Sequence, residues 1–364
     1  MKKGVLTFWL TYCLIGSMSL SAPAQDSAAT GGEDHDKGFR LIFYNLENAF
    51  DTIDDPYPGD DDFLPHGARG WTPYRYWKKI RGLYKVIVAA GGWKLPDLIG
   101  VCEVEHQGVL EDMILHTPLS KHPYRILHKN SPDPRGMDVA AIYHPARFEV
   151  IAHRFIPIHH KGAVLSTREI LYIKGIAKQY DSLHVFFNHW PSKWQGALKT
   201  QVKRNQAATI LKKHIDSIYQ VNSGAKIVAA GDFNDPPGAE SLVKHLRAER
   251  PNEDPYGNML YNLSFQWKTL PIGTQKYRAR WQLLDQIVVS GNLLLPQEGS
   301  TESYEKPQHG LYTSPNRARI FAPDFLLAED DRYTGSKPFR TYTGYKYAGG
   351  FSDHLPVILD LKMK

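Results

Sequence analysis

Short apolar segments alternate with polar connections along most of this 364-residue chain. Eight of these segments have the length and residue types of β-strands: 40–44, 97–102, 139–143, 170–176, 183–188, 226–230, 284–289 and 357–361. Two longer segments, 73–90 and 197–219, carry many of their apolar residues on one helical face. Many strands with few helices between them predict an α/β arrangement in which two mixed sheets pack together with helices outside.

The amino terminus has the pattern of a secretory signal. Lys2 and Lys3 precede an apolar stretch over residues 5–20, and Ala22-Pro23-Ala24 forms a small-x-small cleavage pattern. We therefore expect a signal peptide over 1–24, a disordered leader over 25–38 and a single domain over 39–364, secreted or periplasmic. An uncleaved anchor is the alternative, but the mature chain would have no stable membrane span. Cys102 would then be the only thiol, which excludes an internal disulfide.

Charge and two polar stretches change this picture little. The formal charge of +6, about +4 without Lys2 and Lys3, suits polyanionic partners without requiring them. The polar stretch 291–350 predicts a loop or lid. The acidic run 51–62 could hold Ca²⁺, but its spacing matches no established loop motif, so a solvated loop is the favoured interpretation.

Chemically active side chains collect at the predicted strand ends. In chain order they are Asn45, Glu47, Glu103, His189, Asp232, Asn234, Asp285, Asp353 and His354. Carboxylate and amide oxygens bind hard divalent cations, and histidines move protons near neutral pH. This donor set favours Mg²⁺, with Mn²⁺ or Ca²⁺ as alternatives. The lack of a Cys/His cluster argues against zinc.

The motifs that carry these residues are YNLEN, GVCEVE, FFNHWPS, GDFND, LLDQIVVS and SDHLP, in that order. Together they resemble the endonuclease/exonuclease/phosphatase superfamily, which has the DNase I-like fold. The resemblance spans nearly all of the chain after residue 38. It implies a four-layer sandwich, with two mixed β-sheets face to face between helices, and metal-dependent cleavage of phosphoester bonds.

The resemblance also implies residue roles. Asn45, Glu47, Glu103 and Asp353 would lie at the metal. Asp232 and Asn234 would position the attacking water and a phosphate oxygen, and Arg168 would approach the phosphate. His354, oriented by Asp285, would be the essential histidine. Asp138 would orient His189.

The reaction itself requires an activated water, a cation and a proton for the leaving oxygen. We expect His354 with Asp285 to activate the water, helped by Asp232, and His189 to supply the proton. The superfamily's members share these tasks differently. Which histidine is the acid and which is the base therefore stays open.

Substrate choice is the least determined property. Basic residues near the predicted site favour a DNA or RNA nuclease: Lys193, Lys199, Lys203, Arg204, Lys276, Arg278 and Arg280. A sphingomyelinase-like phospholipid phosphodiesterase is an alternative, with 267–281 as a candidate aromatic hairpin. An inositol or sugar phosphatase is another, although RARWQLLDQI departs from the inositol phosphatase pattern. A phosphate-binding module without catalytic activity is a further alternative, but it would be expected to lack some of the ligand and catalytic residues. Endo or exo action and oligomeric state stay open.

Overall fold

The computed structural model describes Met1 and residues 38–363, apart from 57–58, 93, 179–180, 194–195, 253–254, 256 and 296–309. The predicted signal peptide and nearly all of the predicted leader lie outside this part. The helices are α1 (Pro73–Gly91), α2 (Gln107–Leu115) and α3 (Ala197–Val221). The strands are β1 (Phe39–Ala49), β2 (Leu98–Val104), β3 (Arg125–Leu127), β4 (Asp138–Tyr143), β5 (Phe148–Ile156), β6 (His159–His160), β7 (Ala163–Val164), β8 (Ile170–Ala177), β9 (Asp181–His189), β10 (Lys226–Asp232), β11 (Ala248–Glu249), β12 (Leu260–Asn262), β13 (Gln275–Tyr277), β14 (Arg280–Gln282), β15 (Asp285–Ser290), β16 (Leu311–Tyr312), β17 (Ala318–Ile320), β18 (Leu327–Glu329), β19 (Ser336–Pro338), β20 (Tyr342–Thr343), β21 (Lys346–Tyr347) and β22 (Val357–Met363).

Two seven-stranded sheets form the centre of the fold. The first has the order β16-β22-β1-β2-β4-β3, with β17 also on β22, and the second has the order β11-β12-β15-β10-β9-β8-β5. Both sheets are mixed. β1 runs parallel to β2 and antiparallel to β22, and β10 runs parallel to β9 and antiparallel to β15.

Three apolar clusters define the layers. The central cluster joins inward-facing residues of both sheets, such as Phe43 of β1 and Phe187 of β9, whose rings are stacked with centroids 6.2 Å apart. A second cluster packs α1 and α2 against the outer face of the first sheet through residues such as Ile42 and Leu83. A third packs α3 against the second sheet, with Leu211 among its members. Helix, sheet, sheet and helix therefore form the expected four-layer sandwich.

The structure confirms the eight predicted strands and the two predicted helices, each within a few residues at its ends. The stretch 291–350 differs from the predicted loop. Where it is described, it contains short strands and turns, including the hairpins β18–β19 and β20–β21. Within the described residues, none of the helices combines the length and apolar character that crossing a bilayer requires.

Candidate active site

Strand register places three of the site residues side by side on the second sheet. Asp232, the last residue of β10, pairs with His189 at the end of β9 and with Asp285 at the start of β15. All three are at least 97% buried. The backbone of Asn234 then folds back and donates to Asp232 Oδ1 at 2.9 Å, which fixes that carboxylate.

The facing edge of the first sheet is irregular. The pairing of β1 with β2 shifts after Asn45, and that of β2 with β4 shifts around Glu103. Glu47, Asn48 and Glu103 have φ angles of 50°, 50° and 60°, in the left-handed region that side chains other than glycine rarely adopt. Such bulges re-aim side chains at strand ends. Here the Asn48 amide donates to Glu103 Oε2 at 3.0 Å and holds the carboxylate.

Two hydrogen bonds connect the two sheets at this site. Asn45 Nδ2 donates to Glu103 Oε1 at 3.1 Å and to Asp232 Oδ2 at 3.2 Å, so it joins carboxylates from opposite sheets. His354, in the loop before β22, lies with Nδ1 2.6 Å from Asp285 Oδ2. Its Nε2 lies 4.0 Å from Asp232 Oδ2, so the ring separates the two aspartates.

The two histidines of the site differ in electrostatic environment. Burial opposes charge on His354, but Asp285 outweighs it and raises the pKa of that imidazole well above its usual value. Burial, followed by the charges of Arg168 and Arg135, lowers the pKa of His189 well below its usual value. His189 Nε2 lies 3.8 Å from both Glu103 Oε1 and Asp232 Oδ2. The role of His189 as the proton donor stays a prediction.

The carboxylates are also perturbed. Burial is the largest cause of a raised pKa at Glu103, and the neighbouring Asp353 adds to it. Burial likewise raises the pKa of Asp232 to about 6, against the favourable charge of His354. Carboxylates packed together in a largely buried site hold their negative charge at a cost, so the arrangement favours a cation.

Three predicted residues, Asn45, Glu47 and Asp353, have partners that the sequence did not indicate. Asn45 Oδ1 accepts from the Glu47 amide at 2.9 Å, so Asn45 presents its amide nitrogen to Glu103 and Asp232, and its role as a metal ligand stays a prediction. Glu47 accepts from Arg340 Nε at 3.3 Å and from the Thr341 amide at 2.6 Å, so it holds Arg340 beside the site, and its place at the metal stays a prediction. Arg340 in turn donates to Asp353 Oδ2 at 3.0 Å.

Arg168 and Asp138 are also placed differently from the expectation. Arg168 donates from Nη1 to Asp133 Oδ2 at 2.7 Å and from Nη2 to the Trp190 carbonyl at 2.6 Å, while its buried Nε has no hydrogen-bond partner among the described residues. Asp138 lies 2.8 Å from His128 Nε2 and accepts from the Ser131 amide. The expected contact between Asp138 and His189 is not formed.

The donor chemistry of the cluster fits a divalent cation. Asp232, Asp285 and His354 each offer a ligand atom within 4.8 Å of the others. Among the described residues, Asp285 Oδ1 is buried and has no hydrogen-bond partner. Glu103 and Asp353 add further carboxylate oxygens, which Mg²⁺ and Mn²⁺ prefer.

Several supporting residues had no signal in the sequence. Thr274 Oγ1 accepts from the amide of Asp285 at 3.1 Å, and Ser352 Oγ joins the amide of His354 to the carbonyl of Asn45. Arg340 comes from the stretch expected to be a loop. Only Ser352 lies within a recognised motif, so motif reading could have found it, whereas the others required the tertiary structure.

Comparison with known proteins agrees with this geometry. Residues 40–363 match the model of the Endonuclease/Exonuclease/phosphatase family, and the chain therefore belongs to that family of metal-dependent phosphoric-ester hydrolases. No curated protein sequence matches the chain.

Three solved structures show the same fold. A humanized D. rerio TDP2 with 14 mutations is 13% identical, with 90% of this chain and 99% of that chain covered and a TM-score of 0.54. A Bacteroides thetaiotaomicron protein of the family is 14% identical, with 89% and 97% covered and a TM-score of 0.52. D. rerio TDP2 complexed with a single-strand DNA product is 12% identical, with 89% and 99% covered and a TM-score of 0.51.

Proposed function

We propose that this enzyme is an exported nuclease that cleaves phosphodiester bonds of DNA or RNA. The observation that carries the proposal is the hairpin β13–β14, which borders the active site. Gln275 of β13 forms an isolated backbone bridge with His354. The hairpin thus extends directly from the catalytic histidine to the surface.

The tip of this hairpin has the chemistry of a nucleic-acid contact. Tyr277 is 57% exposed, and the guanidinium of Arg278 lies 5.3 Å from the centre of its ring. Arg280 is also exposed. Arginines neutralise backbone phosphates, and an exposed aromatic ring stacks on unpaired bases. The hairpin can therefore hold a strand whose scissile phosphate lies at His354.

The other basic residues divide into two groups. Arg204 is fully buried against Asp235, and Lys276 is 3% exposed against Asp330, so both are structural. Lys193 is paired with Asp235. Lys199 and Lys203 are exposed on α3, as a phosphate contact requires. The expected basic surface is therefore smaller than the sequence indicated.

The alternative of a phospholipid substrate lacks the expected aromatic wedge. Trp267 is 3% exposed and donates from its indole to the Ala318 carbonyl at 3.3 Å. Trp281 packs against the apolar cluster of the first sheet. Both indoles face the protein rather than a bilayer, whereas the hairpin tip between them is basic.

The proposal gives each residue of the site a role that is consistent with the geometry. A divalent cation, Mg²⁺ in this proposal, would neutralise charge on the phosphate oxygens, with Glu103 and Asp353 among its ligands. Asp285 orients His354, and Asp232, fixed by Asn234, is placed to accept a proton from the attacking water. Asn45 holds Glu103 and Asp232 at their separation across the two sheets.

Two further observations support nucleic acid outside the cell. A single-strand DNA product is bound by the similar D. rerio TDP2, and the amino-terminal sequence has the pattern of an export signal. Secretion into culture medium or periplasm, with residue 25 as the new terminus, is the expected outcome of expression in the native host.

The test compares substrates in parallel. The purified chain with Mg²⁺ or Mn²⁺ should cleave single-stranded DNA or RNA faster than sphingomyelin or inositol phosphates. Arg278→Ala with Arg280→Ala should raise KM for the oligonucleotide at least tenfold and reduce its salt dependence. Hydrolysis of bis-p-nitrophenyl phosphate, which is too small to reach the hairpin tip, should stay within twofold.

Lys213→Ala provides a matched control, because Lys213 is exposed on α3 about 24 Å along the helix from its first residue. That variant should leave KM unchanged. Cleavage of only sphingomyelin or inositol phosphates would overturn the nuclease proposal.

A further inference from the structure

A second acidic cluster lies beyond the catalytic residues, where the chain leaves β1 and β2. Asp51 follows the end of β1, and Glu105 follows the end of β2. The amide of Asp51 donates to Glu105 Oε2 at 2.7 Å, which ties the two segments together. Asp60, from the same acidic run as Asp51, is 3% exposed.

These carboxylates have little positive charge to balance them. Among the described residues, the ion pairs of Asp51 and Glu105 all go to His106, at 3.1 Å and 3.7 Å. The Glu105 side chain is 2% exposed, and its Oε1 has no hydrogen-bond partner in the described part of the chain. A buried carboxylate oxygen without a partner is costly.

The tautomer of His106 indicates which atoms are available as ligands. His106 is the N-cap of α2, and its Nδ1 accepts from the Gly108 amide at 3.0 Å. In the neutral ring the proton is therefore on Nε2, which faces Asp51 Oδ2. A protonated nitrogen cannot bind a metal, so His106 orients Asp51 from outside the ligand set. The ligand atoms that remain are oxygens.

We propose that Asp51 and Glu105 bind a hard divalent cation, Ca²⁺, at a second site that shares no residue with the catalytic centre. The cation would occupy the space at Glu105 Oε1 and balance the buried carboxylates. All-oxygen coordination by carboxylates is typical of Ca²⁺. Occupancy would fasten this loop to the ends of the two strands that carry Asn45 and Glu103.

Terbium luminescence gives a readout that does not depend on catalysis. Tb³⁺ replaces Ca²⁺ at oxygen sites and emits when a nearby indole transfers energy to it. Trp71 is suitably placed, because its Nε1 donates at 3.0 Å to the carbonyl of Phe50, the residue before Asp51. Binding at the catalytic centre is removed beforehand with Glu103→Gln and Asp353→Asn, and all titrations use that background.

In that background, Glu105→Gln should weaken Tb³⁺ binding at least tenfold, and Asp51→Asn should act in the same direction. The control is Asp61→Asn, since Asp61 is exposed in the same acidic run. The Tb³⁺ affinity of this control should stay within twofold of that of the background protein. Excess Ca²⁺ should displace the Tb³⁺. Equal affinity in the Glu105→Gln and control proteins would overturn the proposal, as would a lack of sensitised emission.

A melting experiment keeps the proposal testable if a variant folds poorly. Millimolar Ca²⁺ should raise the melting temperature of the background protein by several degrees and leave that of Glu105→Gln unchanged. In EDTA, Glu105→Gln should melt no lower than its parent, because it removes a buried carboxylate. An equal Ca²⁺ effect on both proteins would contradict the assignment.

Discussion

His354 Nδ1 and Asp285 Oδ2 lie 2.6 Å apart and join the first sheet to the second at the active site. His354 precedes β22 of one sheet, and Asp285 begins β15 of the other. Both side chains are buried, so the carboxylate fixes the orientation of the ring, and Nε2 faces Asp232. Such a pair is expected to act as one catalytic unit.

We predict that Asp285→Asn and His354→Ala each lower kcat by about 10²-fold or more, since a correctly held imidazole is worth that much in proton transfer. The double variant should be little worse than His354→Ala alone, because both changes remove the same unit. Steady-state kinetics on an oligonucleotide, with circular dichroism to confirm folding, measures this.

Asp138→Asn is the matched control for that cycle, because Asp138 also forms a buried pair with a histidine, His128, at 2.8 Å. It should reduce kcat less than about threefold. Strictly additive losses in the Asp285 and His354 double variant, or a large loss in the control, would contradict this interpretation.

Arg340 should limit the affinity of the site for its cation. Its guanidinium lies between Glu47 and Asp353, and its charge partly balances both. Arg340→Ala should therefore lower the Mg²⁺ concentration needed for half-maximal activity, while the free energy of unfolding falls by about 1–3 kcal/mol because the buried Glu47 and the partly buried Asp353 lose a partner. Lys337→Ala, which removes a longer pair to Asp330 in the same segment, should change neither property. The same fall in the half-maximal Mg²⁺ concentration in both variants would disprove a specific role for Arg340.

Gly100 of β2 should tolerate no side chain, because the two sheets approach closely there. A Cβ added at Gly100 would lie 2.1 Å from Cδ1 of Phe187 on the opposite sheet. We expect Gly100→Ala to reduce the free energy of unfolding by about 1–3 kcal/mol. Phe187→Leu alone should also lower the free energy of unfolding, but this loss should be smaller in the Gly100→Ala background. Denaturant titration of the four proteins gives the coupling, and independent effects would refute the packing argument.

Asp360 should make stability depend on pH in the acidic range. Burial opposes its charge, but hydrogen bonds from Arg40 and then Arg319 outweigh it and lower its pKa. The ionised pair therefore stabilises the fold above the usual aspartate range, and this contribution is lost as pH falls toward the lowered value. The free energy difference between wild type and Asp360→Asn, about 1–3 kcal/mol at pH 7, should shrink toward pH 3. Glu329→Gln, an exposed carboxylate, should show no such trend in urea titrations.

The sequence predicted the central strands because buried strands carry continuous apolar runs. It missed β5, whose sequence FEVIAHRFI has mostly exposed residues at a sheet edge. It also missed α2, which has only nine residues and a histidine as its N-cap. Hydrophobic pattern identifies elements that are buried, and edge or short elements lack that signal.

The same division applies to the site. Asp232, Asp285 and His354 could be grouped from motifs because each lies at a strand end, and the ends meet. The roles of Asn45 and Glu47 were less accessible, since they depend on bulges that turn the backbone after residue 45. The part that Arg340 plays at the site could not be predicted, because Arg340 and its partner Glu47 are 293 residues apart in sequence.

The division of the catalytic groups between two sheets has a practical consequence. Asn45 and Glu103 lie on the first sheet, His354 precedes β22 of that sheet, and His189, Asp232 and Asp285 lie on the second sheet. A cut between β4 and β5 would separate Asn45 and Glu103 from the other four residues, so neither fragment alone should be active. Turnover can therefore serve as a sensor of sheet association: a split version of this enzyme should recover activity only when its halves dock.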